Sequence, residues 1–166
     1  NIINLLKAYK KLTSDLDFDI KLVLVLQILD KNYFLEIEKF IKSNFTENQI
    51  VIFSNLSSDN LPNLYRYAKL YVFTSYCEVF GLTSLEAMSQ KTPVVISNKS
   101  SLPEINGNAA IYFDPDDVIE IANSLKMTLI DNSLRQKLIE EGIAQLKKYN
   151  SKDNIKKTIR IIENIN

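Results

Sequence analysis

The sequence has no histidine and only one cysteine, Cys77, among its 166 residues. Without histidine, neither a Cys/His metal site nor a Cys/His catalytic pair can form, and a single cysteine excludes an internal disulfide. These absences favour a reducing, cytosolic setting. We therefore interpret Cys77 as a small packing residue rather than a nucleophile.

An excess of either charge is also lacking, since 20 basic residues balance 20 acidic ones. A nucleic-acid-binding surface shows a clear basic excess, so no such partner is predicted. No apolar run approaches the length needed to cross a membrane, and no signal peptide is recognisable. Because the chain begins at Asn1 and its methionines are Met88 and Met127, we expect it to be part of a longer protein.

Short apolar runs alternate with segments of helical spacing along the chain. Strands are predicted at 20–26, 49–53, 70–74, 93–96 and 109–113, and helices at 1–14, 31–44, 61–69, 82–90, 114–130, 132–148 and 152–165, with a short helical turn at 100–107. Repeated βαβ units predict one α/β domain over residues 1–166, built on a Rossmann-like parallel sheet of about five or six strands with helices on both faces. The last one or two helices, residues 132–166, are expected to pack on the domain or extend from it.

The segment between the third and fourth strands holds the residues best suited to binding. In open α/β sheets, ligands lie beyond the carboxyl ends of the strands. The loops 54–58, 74–82 and 97–101 follow three strands, so we expect them to share one rim. The second loop contains Glu78 and Gly81 and leads into a helix start, where backbone N–H groups can meet an anion.

Local chemistry leaves two interpretations for each of these residues. Gly81 either lets a phosphate approach the backbone or only permits a tight turn. Glu86 either completes a capping box with Thr83 at the helix start or accepts hydrogen bonds from a ribose diol. Glu78 is either an exposed loop residue or an acceptor for sugar hydroxyls. Spacing alone does not support a paired acid/base device.

The run Glu78-Val-Phe-Gly-Leu-Thr-Ser-Leu-Glu-Ala-Met, followed by Thr92-Pro-Val-Val, Pro103-Glu104, Gly107 and Asp114-Pro115, resembles the C-terminal half of GT-B glycosyltransferases of family GT4 (glycosyltransferases group 1). The spacing of Glu78 and Glu86 fits the E-x7-E motif of that family. The resemblance runs from the Asn1 region to about Ile130, and its several parts appear in the expected order. It implies that the chain has the fold of the donor-binding C-terminal lobe, with the N-terminal acceptor lobe absent.

The resemblance also implies roles for individual residues. Glu78 is the catalytic candidate and contacts the donor sugar, and Glu86 holds the ribose hydroxyls. The other implied donor contacts are made by Phe80, Gly81 and Leu82 at the sugar hydroxyls and diphosphate, Thr83 near the phosphates, and Ser54, Asn55 and Leu56 at the nucleobase.

Members of this family have a basic pair, an Arg and a Lys, that clamps the diphosphate, and this sequence departs from that pattern. Its Arg is expected before Asn1. Its Lys is assigned to Lys31, although Gln27 and Ile28 stand where small residues are usual. With the acceptor lobe absent as well, the isolated chain is expected to fold without turning over.

As an activity, the resemblance implies retaining transfer of a sugar from a UDP- or GDP-type nucleotide-sugar to an acceptor hydroxyl, without a metal or other cofactor. The implied acceptor is a glycan or lipid in glycan, capsule, lipopolysaccharide or glycolipid biosynthesis, and it would bind through the missing lobe. The whole protein is expected in the cytoplasm, at the inner face of the membrane, with peripheral membrane association. One alternative is a nucleotide-binding or regulatory module without catalysis, and another is an interaction domain without a ligand.

Overall fold

The computed structural model describes residues 1–54 and 56–149. The helices are α1 (Ile2–Ser14), α2 (Lys31–Asn44), α3 (Leu61–Tyr67), α4 (Leu82–Ser89), α5 (Leu102–Asn106), α6 (Val118–Ile130) and α7 (Asn132–Leu146). The strands are β1 (Leu22–Leu26), β2 (Ile50–Ser54), β3 (Tyr71–Phe73), β4 (Val94–Ser97) and β5 (Ala110–Phe113), and a short 3-10 turn, Lys147–Tyr149, follows α7. The predicted alternation of strands and helices is confirmed; the helix predicted at 152–165 lies outside the described residues.

Aspartates cap the starts of three helices, α2, α6 and α7. The Asp30 carboxylate accepts hydrogen bonds from the N–H groups of Asn32 and Tyr33 at the start of α2. Asp117 accepts from two N–H groups at the start of α6 in the same way. The first turn of a helix leaves these N–H groups without intrahelical partners, so each carboxylate stabilises its helix.

Every strand pairing among residues 1–54 and 56–149 is parallel, which confirms the α/β class. The prediction of a single sheet of five or six strands is wrong, because the described strands form a two-stranded sheet, β1-β2, and a three-stranded sheet, β3-β4-β5. Apolar runs in a sequence indicate how many strands it forms, but they do not indicate which strands pair. Pairing requires the backbones of two strands to lie about 4.8 Å apart. Within the described residues, β1 pairs only with β2 and β3 only with β4.

One hydrophobic core joins the two sheets on one side. It includes Leu6 of α1, Leu24 of β1, Val95 of β4 and Ile121 of α6. A second core lies on the opposite face of the three-stranded sheet, where α4, α5 and the neighbouring strands bury residues such as Met88. The three-stranded sheet therefore has packed side chains on both faces, as predicted.

The two-stranded sheet is covered on one face only among the described residues. The β1 sequence predicts a strand buried on both faces, but Val23 and Val25 remain 43% and 41% exposed. The residues that alternate with them, including Leu24, face the core formed by α1 and α2. The continuous apolar sequence of β1 predicted burial on both faces of the strand, but the described helices cover only one of them.

The carboxyl ends of the strands meet the start of the chain. The Thr74 hydroxyl, just after β3, donates to the carbonyl of Asn1 at 2.9 Å. The Asn4 amide donates to the carbonyl of Pro115, just after β5, at 3.0 Å. These contacts tie the beginning of α1 to the rim where the predicted site lies.

Candidate functional site

Residues 75–81, here called the Glu78 turn, connect β3 to α4. Gly81 occupies the N-cap position of α4 with φ +77°, in the left-handed region that favours glycine. A Cβ atom at this position would lie 2.8 Å from Cδ2 of Leu102, so a side chain here would also force Leu102 to shift. The first N–H groups of α4 have no partner within the helix and are available to an anion.

The capping-box interpretation of Glu86 is wrong. The helix begins at Leu82, which places Thr83 inside the first turn rather than at the cap, and the cap has no side-chain hydrogen bond. The Thr83 hydroxyl instead accepts from the phenol of Tyr71 at 2.8 Å. The carboxylate of Glu86 accepts from the phenol of Tyr65 at 3.3 Å. Glu86 is exposed, and its carboxylate makes no hydrogen bond to the helix start.

A shallow cavity of about 150 Å³ lies between α3 and α4 beside Glu86. Its walls are formed by Tyr65 and Glu86 together with Ser58, Leu61, Pro62, Ser89 and Gln90. Pockets that enclose a whole small ligand are typically several times larger. The cavity can therefore hold one part of an extended ligand, next to a carboxylate that accepts hydrogen bonds.

Two tyrosines lie beneath α4, and both keep their protons at neutral pH. Burial, followed by the negative charge of Glu86, raises the pKa of Tyr65 to about 12. Burial also raises the pKa of Tyr71 well above its ordinary value. Each phenol therefore remains a hydrogen-bond donor, and Tyr65 orients one oxygen of the Glu86 carboxylate.

The backbone of Glu78 is held by the loop after β4. The hydroxyls of Ser100 and Ser101 each donate to the Glu78 carbonyl at 2.7 Å. The Glu78 N–H donates to Ser100 Oγ at 3.3 Å, and the Glu78 carboxylate accepts from the N–H of Val79 at 3.1 Å. These contacts confirm that the loops 74–82 and 97–101 share one rim.

The structure brings most of the predicted residues together. The Glu78 turn and the first turn of α4 contain Glu78, Phe80, Gly81, Leu82 and Thr83, and Glu86 follows one turn later.

The remaining predicted residues lie on other elements. Ser54 ends β2 and is exposed, Leu56 is half-buried just beyond it, and Asn55 lies outside the described residues. Ser58, from the same connection, reaches the cavity beside Glu86. Lys31 is the exposed first residue of α2, and no ion pair involves it among the described residues.

Sequence reasoning missed a cation on the rim. The ammonium of Lys99 lies 2.8 Å from the carboxylate of Asp114, and this hydrogen bond raises the pKa of Lys99 and lowers that of Asp114. Lys99 belongs to the predicted rim loop 97–101, so its position there was a signal that could have identified it.

A second missed residue is Tyr149, whose ring meets that of Phe80 edge to face at a centroid distance of 5.6 Å. Its phenol also donates to the carbonyl of Ile105 at 3.0 Å. No local pattern connects residues so far apart in sequence.

Replacing Tyr149 with leucine is expected to lower the free energy of unfolding by about 1 kcal/mol, because the aromatic pair with Phe80 is lost. Tyr149→Phe should cost less, since Gln145 still donates to the Ile105 carbonyl. Urea unfolding of both variants measures the difference. Equal losses in the two variants would show that the hydroxyl, not the ring pair, stabilises this contact.

Comparison with known proteins identifies the family of the chain. Residues 1–145 match the family described as Glycosyl transferases group 1. The O-antigen chain mannosyltransferase B of Escherichia coli is 42% identical over 101 residues, covering 61% of this chain and 26% of the relative. This chain thus spans about a quarter of that relative's length.

Solved structures share the fold. A glycosyltransferase from Rickettsia africae ESF-5 superposes with a TM-score of 0.85 at 22% identity, over 98% of this chain and 44% of that one. Anabaena Alr3699/HepE, solved in complex with UDP-glucose, gives a TM-score of 0.79 at 18% identity, over 95% and 44% of the two chains. The predicted GT-B lobe is therefore confirmed as the fold class. Since the family match extends over most of the sequence, the chain belongs to the glycosyl transferases group 1 family.

Proposed function

We propose that the chain is the donor-binding lobe of a retaining glycosyltransferase that uses a nucleotide-sugar. The observation that carries this proposal is the arrangement of Glu78, Gly81 and Glu86 along one strand–turn–helix. The two carboxylates stand on either side of a helix N-terminus, and the second is not used as a helix cap. An extended ligand with a sugar, a diphosphate and a ribose matches that order of groups.

Each group of the donor would meet a suitable partner. The N–H groups of Gly81, Leu82 and Thr83 would donate hydrogen bonds to the diphosphate, whose negative charge grows as it leaves. The Glu86 carboxylate, oriented by Tyr65, would accept hydrogen bonds from the ribose hydroxyls. Glu78 would contact the donor sugar.

The nucleobase end is proposed on the connection after β2. Ser54, Asn55 and Leu56 would lie beside the base, and Ser58 of the same connection already lines the cavity next to Glu86. Lys31 is proposed to approach the diphosphate. We propose that the donor is a substrate and that no metal or other cofactor takes part.

The matched proteins support the choice of donor and product. One relative is named an O-antigen chain mannosyltransferase, and one similar structure holds UDP-glucose. For the whole protein we therefore propose transfer of a hexose to a glycan or lipid acceptor in surface polysaccharide biosynthesis. The acceptor would bind a second lobe.

We also propose that the whole protein acts in the cytoplasm, at the inner face of the membrane. The described helices include none with the length and hydropathy of a membrane span. We propose that the whole protein associates with the membrane peripherally.

A nucleotide-binding module without transfer is the second candidate. The observation that favours it is the pairing of Lys99 with Asp114, because this ion pair engages a cation next to the Glu78 turn. If no other cation reached the diphosphate, the lobe would bind a nucleotide but would not stabilise the negative charge of the diphosphate as a leaving group.

Calorimetric titration of the chain with UDP, GDP and ADP, and with their hexose conjugates, tests the proposal. We expect one nucleotide series to bind, and the Glu86→Ala variant to bind it more weakly. If no nucleotide binds, the donor-binding proposal fails. If the chain binds a nucleotide but the intact protein shows no transfer to any acceptor, the second candidate is correct.

A further inference from the structure

Two consecutive serines after β4, Ser100 and Ser101, have unusual local conformation or hydrogen bonding. Ser100 has φ +58°, a left-handed conformation that residues with a side chain seldom adopt. Ser101 occupies the N-cap position of α5, where a serine hydroxyl usually accepts a hydrogen bond from the helix start, yet it makes no such bond. Neither feature improves the local structure of its own segment.

Both serine side chains donate a hydrogen bond to the same acceptor. The two hydroxyls converge on the carbonyl of Glu78, each at 2.7 Å. Ser100 also accepts from the Glu78 N–H at 3.3 Å, so both polar groups of the Glu78 backbone are bound to this loop. The next residue, Leu102, is fully buried and fills the space that Gly81 leaves open.

We propose that Ser100 and Ser101 are positioning residues for the Glu78 turn, an inference that rests on the proposed function. They fix the backbone of Glu78 and thereby set the direction in which its side chain meets the donor sugar. Strain at functional sites persists where the surroundings impose it, and here the hydrogen bonds to Glu78 offset the unfavourable conformation of Ser100. Neither serine needs to touch the donor.

This role predicts a selective effect on ligand binding. In the double variant Ser100→Ala, Ser101→Ala, the Glu78 carbonyl loses both hydroxyl donors, and the turn is free to shift. We expect affinity for the nucleotide-sugar to fall about tenfold, the effect of one to two hydrogen bonds. Affinity for the matching nucleoside diphosphate should stay within about twofold, since Glu86 and the start of α4 are unchanged.

Matched variants separate positioning from general stability. Ser14→Ala removes an exposed hydroxyl that donates to the Lys11 carbonyl at the same distance, 2.7 Å, and should leave both affinities unchanged. Ser100→Gly suits the left-handed conformation and keeps the bond from Ser101, so an intermediate loss is expected. Ser101→Ala alone serves if the double variant unfolds, and should also lower only the affinity for the nucleotide-sugar.

Titration of these variants with a nucleoside diphosphate and its hexose conjugate, with melting temperatures recorded in parallel, gives distinct outcomes. Selective loss of nucleotide-sugar affinity supports the inference. Equal loss of both ligands, or no loss of either, overturns it while leaving the proposed function standing. If the unmodified chain binds neither ligand, the proposed function fails and this inference falls with it.

Discussion

Replacing Glu86 with alanine is expected to lower affinity for the preferred nucleoside diphosphate by about 10- to 100-fold. A ribose diol bound to a carboxylate makes charge-assisted hydrogen bonds, and losing them costs about 1.5–3 kcal/mol. Stability should fall by only about 1 kcal/mol, because Glu86 is exposed and does not cap α4, and its removal costs the hydrogen bond from the Tyr65 phenol. Calorimetric titration and urea unfolding measure the two effects separately.

Three control variants sharpen this prediction. Glu36→Ala removes another exposed helical glutamate, on α2, and should leave binding unchanged. Glu86→Gln keeps the shape without the charge and should fall between the wild type and the alanine variant. Glu78→Ala should spare the bare nucleotide and weaken only sugar-dependent binding. Equal loss of nucleotide affinity in the Glu78 and Glu86 variants would contradict the separate roles assigned to them.

The parts of the fold that depend on local pattern could be predicted from the sequence. The apolar run of β4 and the helical spacing of α1 identify their elements directly, because burial periodicity is a local property. The resemblance to the E-x7-E motif also pointed to the Glu78 turn, which lies on the rim at the carboxyl ends of the strands. The split into two sheets could not be predicted, since strand pairing depends on distances between segments that are remote in sequence.

The start of α4 shows why the site was harder to predict than the fold. The sequence around Thr83 matches a capping box, but the left-handed Gly81 allows the helix to begin earlier. Tyr65 and Tyr71 then take the polar partners that the motif assigned to the cap. Contacts of this kind arise from tertiary packing, and short-range motifs do not encode them.

Gly81→Ala is expected to lower the free energy of unfolding by about 2–5 kcal/mol. A left-handed conformation at a residue with a side chain costs about 1–2 kcal/mol. The added Cβ would also meet Cδ2 of Leu102 at 2.8 Å, and because Leu102 is fully buried, relieving this overlap costs about 1–3 kcal/mol more. Urea unfolding of the variant measures the loss.

A double-mutant cycle with Leu102→Ala separates the two contributions. Leu102→Ala alone leaves a cavity and is itself destabilising, by about 2–5 kcal/mol. In the combined variant the new methyl group has room, so the total cost should be smaller than the sum by at least about 1 kcal/mol. Strict additivity would mean that backbone strain alone explains the effect of Gly81→Ala. Coupling would instead show that Gly81 is required for close packing of the Glu78 turn against α5. In that case the Gly81→Ala variant should bind the donor more weakly than the wild type even where it is fully folded.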